Sequence, residues 1–176
     1  MRRLYAALIG SLLATASAVA DSSGVHDFDF LMGEWHVQHR VKRPTEPSGW
    51  LKFDGTCTER SLMNGAANVE EHIFNRPAGV SYGVALRAYD AKTDEWAIWW
   101  VDSRAPHSAM DPPMKGTFVN GVGTFYSDTT LDGKPMRVRF IWSHDTAKSA
   151  HWEQAVSFDA GKTWETNWVM EFERTG

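Results

Sequence analysis

The chain has 176 residues, a formal net charge of −4 with histidine neutral, nine tryptophans and one cysteine, Cys57. An acidic chain without a Lys/Arg run lacks the electrostatic footprint of a nucleic-acid binder, and one cysteine provides neither an intramolecular disulfide nor a cysteine zinc cluster. Stability must come from packing, with the tryptophans as its largest contributors.

Residues 1–20, MRRLYAALIGSLLATASAVA, set Arg2 and Arg3 before an apolar stretch and end in the small-x-small triplet Ala18-Val19-Ala20. This is the pattern of a secretory signal peptide, and its apolar stretch is shorter than the roughly 20 residues of a spanning helix. Residues 21–176 are therefore expected to form one domain, periplasmic or secreted, with no membrane anchor after cleavage.

The opening segment VHDFDFLMGEW places Phe28, Phe30 and Leu31 before the first strand, which suits a short turn or 3₁₀ helix closing one end of a barrel. From Gly33 onward, runs with period-two alternation predict strands over 33–43, 50–61, 67–75, 80–90, 95–103, 114–119, 122–129, 135–144, 149–158 and 163–174. Asn64-Gly65, Asn120-Gly121, Asp132-Gly133 and Asp159-Ala160-Gly161 supply turn chemistry between them. The longest irregular link, SRAPHSAMDPP from Ser103 to Pro113, holds prolines that exclude a central strand, and it is a candidate lid. Ten sequentially adjacent antiparallel strands would leave two exposed edges unless the sheet closes. An all-β, antiparallel up-and-down barrel is thus expected, with a sandwich as the alternative.

The stretch SFDAGKTW, Ser157 to Trp164, matches the Asp-box of sialidase-type propellers. A propeller repeats its blade every 40 to 50 residues or so, and this chain shows one Asp-box and no internal repeat. Asp159 and Gly161 are therefore read as shaping a hairpin, with Trp164 packed over its base.

Taken together, DFDFLMGEW, LRAYDAKTDEWAIWWVDS, GTFVNGVGTFY, VRFIWS and WEQAVSFDAGKTWETNWVMEFER resemble a family of bacterial proteins described only as a domain of unknown function, with a calycin-like (lipocalin-like) barrel. The resemblance covers nearly all of the mature chain and carries over no catalytic residue. It does imply one structural pair. In lipocalin-type barrels a Gly-x-Trp opens the first strand and an Arg late in the last strand lies across the Trp ring, and Gly33, Trp35 and Arg174 match those positions. Such a contact contributes roughly 0.5 to 2 kcal/mol.

Alternation assigns an apolar inward face that includes Val69, Ile73, Tyr82, Val84, Leu86, Trp96, Ile98, Trp100, Trp142, Trp164 and Trp168. The ionisable residues in phase with it are His39, Glu59, Glu71 and Asp102, each of which then needs a partner, lumen water or a ligand. Glu70, Arg87, Arg137 and Arg139 fall out of phase and are expected outside, unless a wide polar lumen inverts the assignment. Trp99 and Trp152 are also out of phase, and pack either on the opening segment or on a second subunit. The seven histidines show no His-x-His or His-Glu-x-x-His spacing, so no metal or other cofactor is expected.

Three readings follow. The first is a barrel binding a small, partly apolar molecule, with Trp100 and Trp142 as walls and His39, Glu59, Glu71 and Asp102 as polar groups. The second is an enzyme in the same cavity, with His39 as general base beside a carboxylate. The third is a filled-core barrel that forms a homodimer.

Overall fold

The computed structural model describes residues 24–176 and closes ten strands into one antiparallel barrel. The strands are β1 (Gly33–Lys42), β2 (Trp50–Leu62), β3 (Ala67–Arg76), β4 (Gly79–Asp90), β5 (Glu95–Asp102), β6 (Met114–Val119), β7 (Val122–Leu131), β8 (Lys134–Thr146), β9 (Ser149–Ser157) and β10 (Glu165–Arg174). Each pairs with its sequence neighbours, and β1 pairs with β10 from Trp35↔Arg174 to Val41↔Trp168, which leaves the sheet no open edge. The fold is the up-and-down barrel that the alternation and the turn residues predict. The signal-peptide segment lies outside the described residues. No helix among them is long and apolar enough to cross a membrane.

Asn120-Gly121 and Asp132-Gly133 have positive φ at both positions, the conformation a two-residue hairpin needs and these residue types tolerate. The Asp-box forms the β9–β10 hairpin. Asp159 Oδ1 accepts from the backbone N–H groups of Lys162 (3.1 Å) and Thr163 (2.9 Å), Oδ2 accepts from the Thr163 hydroxyl (2.7 Å), and Ser157 Oγ accepts from the Gly161 N–H (2.8 Å). These donors pull the Asp159 carboxyl down to about 2. Trp164 donates to the Gly161 carbonyl (3.0 Å) and packs on Tyr126 and under the Arg139 guanidinium of the outer wall, not in the interior as alternation suggests. The cause is a register shift between Thr166 and Trp168, which breaks the phase between Trp164 and the interior Trp168.

One end of the barrel is closed by 3₁₀ turns over Gly24–His26 and Asp29–Leu31, which carry Phe28 and Leu31 into the core. The Phe28 ring lies 5.0 Å from Trp96, 4.9 Å from Phe118 and 5.7 Å from Phe125, centroid to centroid. Arg174 stretches across the Trp35 ring at 4.1 Å and donates to the carbonyls of Met32 (2.5 Å), Phe30 (2.7 Å) and Ala147 (2.9 Å). Gly33 has φ +119°, and a Cβ there would stand 2.7 Å from Arg174 Nη1, so this position holds both an unusual backbone and a close approach.

The phase of β3 and β4 is the reverse of the one read from alternation. Asn68, Glu70, His72 and Phe74 point inward from β3, and Ser81, Ala85 and Arg87 from β4. Glu71, Ile73, Tyr82 and Leu86 are exposed, and Val69 and Val84 alternate outward with them. Both faces of this hairpin are partly apolar, so periodicity alone cannot choose between them. Trp152 is also interior, in the main core cluster. Arg137 and Arg139 lie on the outer wall as expected, beside Asp128 and Glu153 respectively.

Candidate functional site

The β2–β3 register sets Glu59 opposite Glu70, and the β3–β4 register sets Asn68 opposite Arg87. Neighbours across a ladder share a face, so these four side chains meet inside the barrel. Arg87 Nη1 donates to Glu59 Oε1 (2.6 Å) and Asn68 Oδ1 (3.1 Å), and Nη2 donates to Glu70 Oε2. The other Glu70 oxygen contacts His72 Nε2. All five residues are buried, and the guanidinium also lies 4.9 Å from the Phe28 ring and 5.1 Å from Trp142. The network thus forms a polar layer between the closed aromatic end and the space above it.

The charged groups of this layer are paired with one another. Burial disfavours an ionised Glu70, but Arg87 and His72 outweigh it and hold the carboxyl well below its usual range. Burial also opposes the Arg87 charge, and Glu59 and Glu70 reverse that and raise it. Glu59 goes the other way, because burial and the neighbouring Glu70 push its carboxyl well above the ordinary value against the pull of Arg87. An ionised Glu70 can only accept, so His72 Nε2 is the donor. His72 Nδ1 has no hydrogen-bond partner, nor does the buried Trp142 Nε1. Cys57, Glu70 and His72 bring one donor atom each within 4.8 Å of one another. Glu70 is already held by Arg87, and burial raises the Cys57 thiol well above its normal range. The set therefore suits an ion-pair network better than a divalent cation.

Above the network is a cavity of about 190 Å³. Its floor is Glu70, His72 and Arg87, and its walls include the rings of Phe74, Trp100, Phe140, Trp142, Trp152 and Trp168. Asp111 and Pro112 of the 103–113 link complete it, and Ser127 Oγ donates to the Pro112 carbonyl at 3.2 Å. Gly83 makes room for one wall, since a Cβ there would lie 2.1 Å from the Trp100 ring.

Of the residues singled out from sequence, Trp100 and Trp142 line the cavity and Glu59 sits in the network beneath it. Asp102 is at the rim, gripped by Arg104, outside the lining. Glu71 is exposed on the outer wall, and its expected inward placement is corrected, because β3 presents Glu70 instead. His39 is buried yet has no carboxylate partner. It accepts from Trp168 Nε1 (3.3 Å), stacks on Phe53 at 4.7 Å and lies outside the cavity lining. Burial, followed by His72 and Arg76, lowers its imidazole to about 3, which keeps it neutral. Alternation missed Glu70, His72, Arg87, Asn68 and Trp152. The expectation that Glu70 and Arg87 lie outside fails because β3 and β4 carry their polar side chains inward.

No family model and no curated protein matches the chain. Among solved structures, Rv2717c from M. tuberculosis superposes with a TM-score of 0.58 at 9% identity, covering 88% of this chain and 99% of its own. The S-type phycobiliprotein lyase CPES from Guillardia theta superposes with a TM-score of 0.57 at 10% identity, covering 89% of this chain and 94% of its own. These neighbours are calycin-like barrels, and the chain shares that fold.

Proposed function

We propose that this protein is an exported calycin-like barrel that binds a small, partly apolar molecule in its interior cavity. The observation that carries the reading is the cavity itself, walled by six aromatic rings, floored by a buried Arg87–Glu70–His72 network and bordered by the 103–113 link. Aromatic walls with a few placed polar groups are the usual make-up of ligand pockets. The likeness in fold to a phycobiliprotein lyase agrees with ligand binding in general terms. A filled-core, purely interacting barrel is less well supported, since the core holds about 190 Å³ of open volume.

Native mass spectrometry on protein purified from its own cell envelope tests the binding reading. A co-purifying small molecule that is lost in Val138→Phe, which fills the cavity from its wall, supports it; identical masses for both proteins, together with no stabilisation by any member of a broad small-molecule panel, overturn it. Export is tested by cell fractionation and N-terminal sequencing, with a chain beginning at Asp21 as the expected result. His39 does not line this cavity, so acid–base chemistry there would not run through it.

A further inference from the structure

Arg76 is the last residue of β3 and points inward in phase with His72 and Phe74. Since β1 starts beside the aromatic plug and the strands alternate in direction, β3 ends at the opposite mouth of the barrel. There the guanidinium lies on three rings, 4.6 Å from the centroid of Phe53, 4.8 Å from Phe74 and 5.6 Å from Trp168. Phe74 and Trp168 also wall the cavity, so the cation stands at the border of that space.

Contact with ring faces holds a guanidinium in place but leaves its N–H donors unused. Arg76 Nε donates to Ser81 Oγ at 3.2 Å. Its Nη1 and Nη2 have no hydrogen-bond or ion-pair partner among the described residues, and neither is sealed from solvent. The other inward arginine of the same hairpin is the opposite case, for both Nη atoms of Arg87 are engaged by Glu59, Asn68 and Glu70.

The neighbourhood of Arg76 is also positive. Burial opposes its charge and so does the like charge of Arg104, while Asp102 favours it and Arg43 again opposes it. Asp102 is itself taken, because Arg104 grips both of its oxygens. Three arginines therefore share one carboxylate at this mouth, on a chain whose net charge is −4. A second carboxylate would offset the excess, and its two oxygens match the paired Nη donors that Arg76 leaves free.

We propose that Arg76 anchors a carboxylate at the mouth of the barrel, and that the molecule bound there is an amphipathic monoacid whose apolar part lies among the aromatic walls of the cavity. This inference rests on the binding reading above and adds the charge of the ligand and the residue that holds it. The floor fits the same polarity, since its charged groups pair with one another and offer a buried apolar end no free ion.

The test is calorimetric titration of the purified protein with octanoate and 4-phenylbutyrate, against 1-octanol and 4-phenylbutanol (the same skeletons uncharged), octylammonium (cation) and octyl phosphate (a different anion). Each acid should bind at least tenfold more tightly than its alcohol and than the other two probes. In Arg76→Met the acids should fall to the level of the alcohols. Arg76→Lys, which keeps the charge without the fork, should lose the preference severalfold, and it decides together with the wild-type ranking should Arg76→Met fail to fold. In Val138→Phe the binding of acids and alcohols alike should vanish. An undiminished preference for the acids in either Arg76 variant overturns Arg76 as the anchor. Equal or tighter binding of an alcohol, octylammonium or octyl phosphate, abolished by Val138→Phe, overturns the carboxylate and leaves the binding reading standing. Heats that are the same for wild type and Val138→Phe with every probe overturn both.

Discussion

Arg87 neutralises Glu70 and gives Glu59 and Asn68 their hydrogen bonds, so its removal leaves polar groups stranded in the middle of the barrel. Arg87→Met should cost about 3–5 kcal/mol in urea denaturation, the range for breaking a buried pair from one side. Arg87→Lys should recover only part of that, because an ammonium cannot reproduce the fork that spans both carboxyls. His39 provides a different readout. Its imidazole is lowered from the ordinary 6.5 to about 3, so the folded protein binds that proton more weakly than the unfolded chain does. The stabilisation is complete above pH 6.5 and falls as pH drops toward 3, by about 2 kcal/mol between pH 6.5 and 5 at 1.36 kcal/mol per pH unit. Glu59 acts in the opposite sense, since a raised carboxyl stabilises most at low pH and loses that contribution as pH rises. The difference between wild type and His39→Phe therefore isolates the histidine. The variant's stability should fall less steeply on acidification over that window, and parallel curves would contradict the assignment.

At the level of strands, glycines mark where backbones crowd. A Cβ on Gly116 of β6 would lie 1.9 Å from the Thr124 carbonyl oxygen of β7, so Gly116→Ala must push two strands apart. Gly83→Ala meets side chains and not backbone, the Trp100 ring at 2.1 Å and the Phe74 ring at 3.1 Å. The first should cost about 1–3 kcal/mol by thermal or chemical denaturation, and the second less, with its main effect a changed Trp100 environment in fluorescence. Strand existence and the tight turns were legible because alternation and Asn-Gly or Asp-Gly pairs are local signals. The facing of β3 and β4 was not legible from periodicity, since Val69, Ile73, Tyr82 and Leu86 make an equally apolar face. It was nevertheless encoded in the chain. A β2–β3 link centred on Asn64-Gly65 pairs Leu62 with Ala67 and Glu59 with Glu70, so an inward Glu59 demands an inward Glu70 and an outward Glu71. The next hairpin carries the same parity to Arg87 through Asn68. Register, not hydrophobicity, held the information about the site. The Trp164 misreading has another origin, for the bulge before Trp168 depends on the tertiary pairing of β10 with β9.

Over the whole molecule, the interior is layered along the barrel axis: an aromatic plug, an ion-paired network, then the cavity. Arg174 secures the plug by serving the carbonyls of Phe30, Met32 and Ala147 from across the Trp35 ring. Arg174→Met should lower stability by about 1–3 kcal/mol and speed amide exchange in β1, β10 and the opening segment before it affects β3 and β4. Uniform acceleration around the barrel would contradict a local latch. The β1–β10 seam has a temporal consequence as well. Trp35 finds its partner only when residue 174 exists, so the pairing that completes the ring must close a loop of almost the entire described chain. Structures whose decisive contacts are this distant in sequence assemble slowly. During synthesis the polypeptide must therefore remain slack until its last strand emerges, and only then can the first strand be held in place.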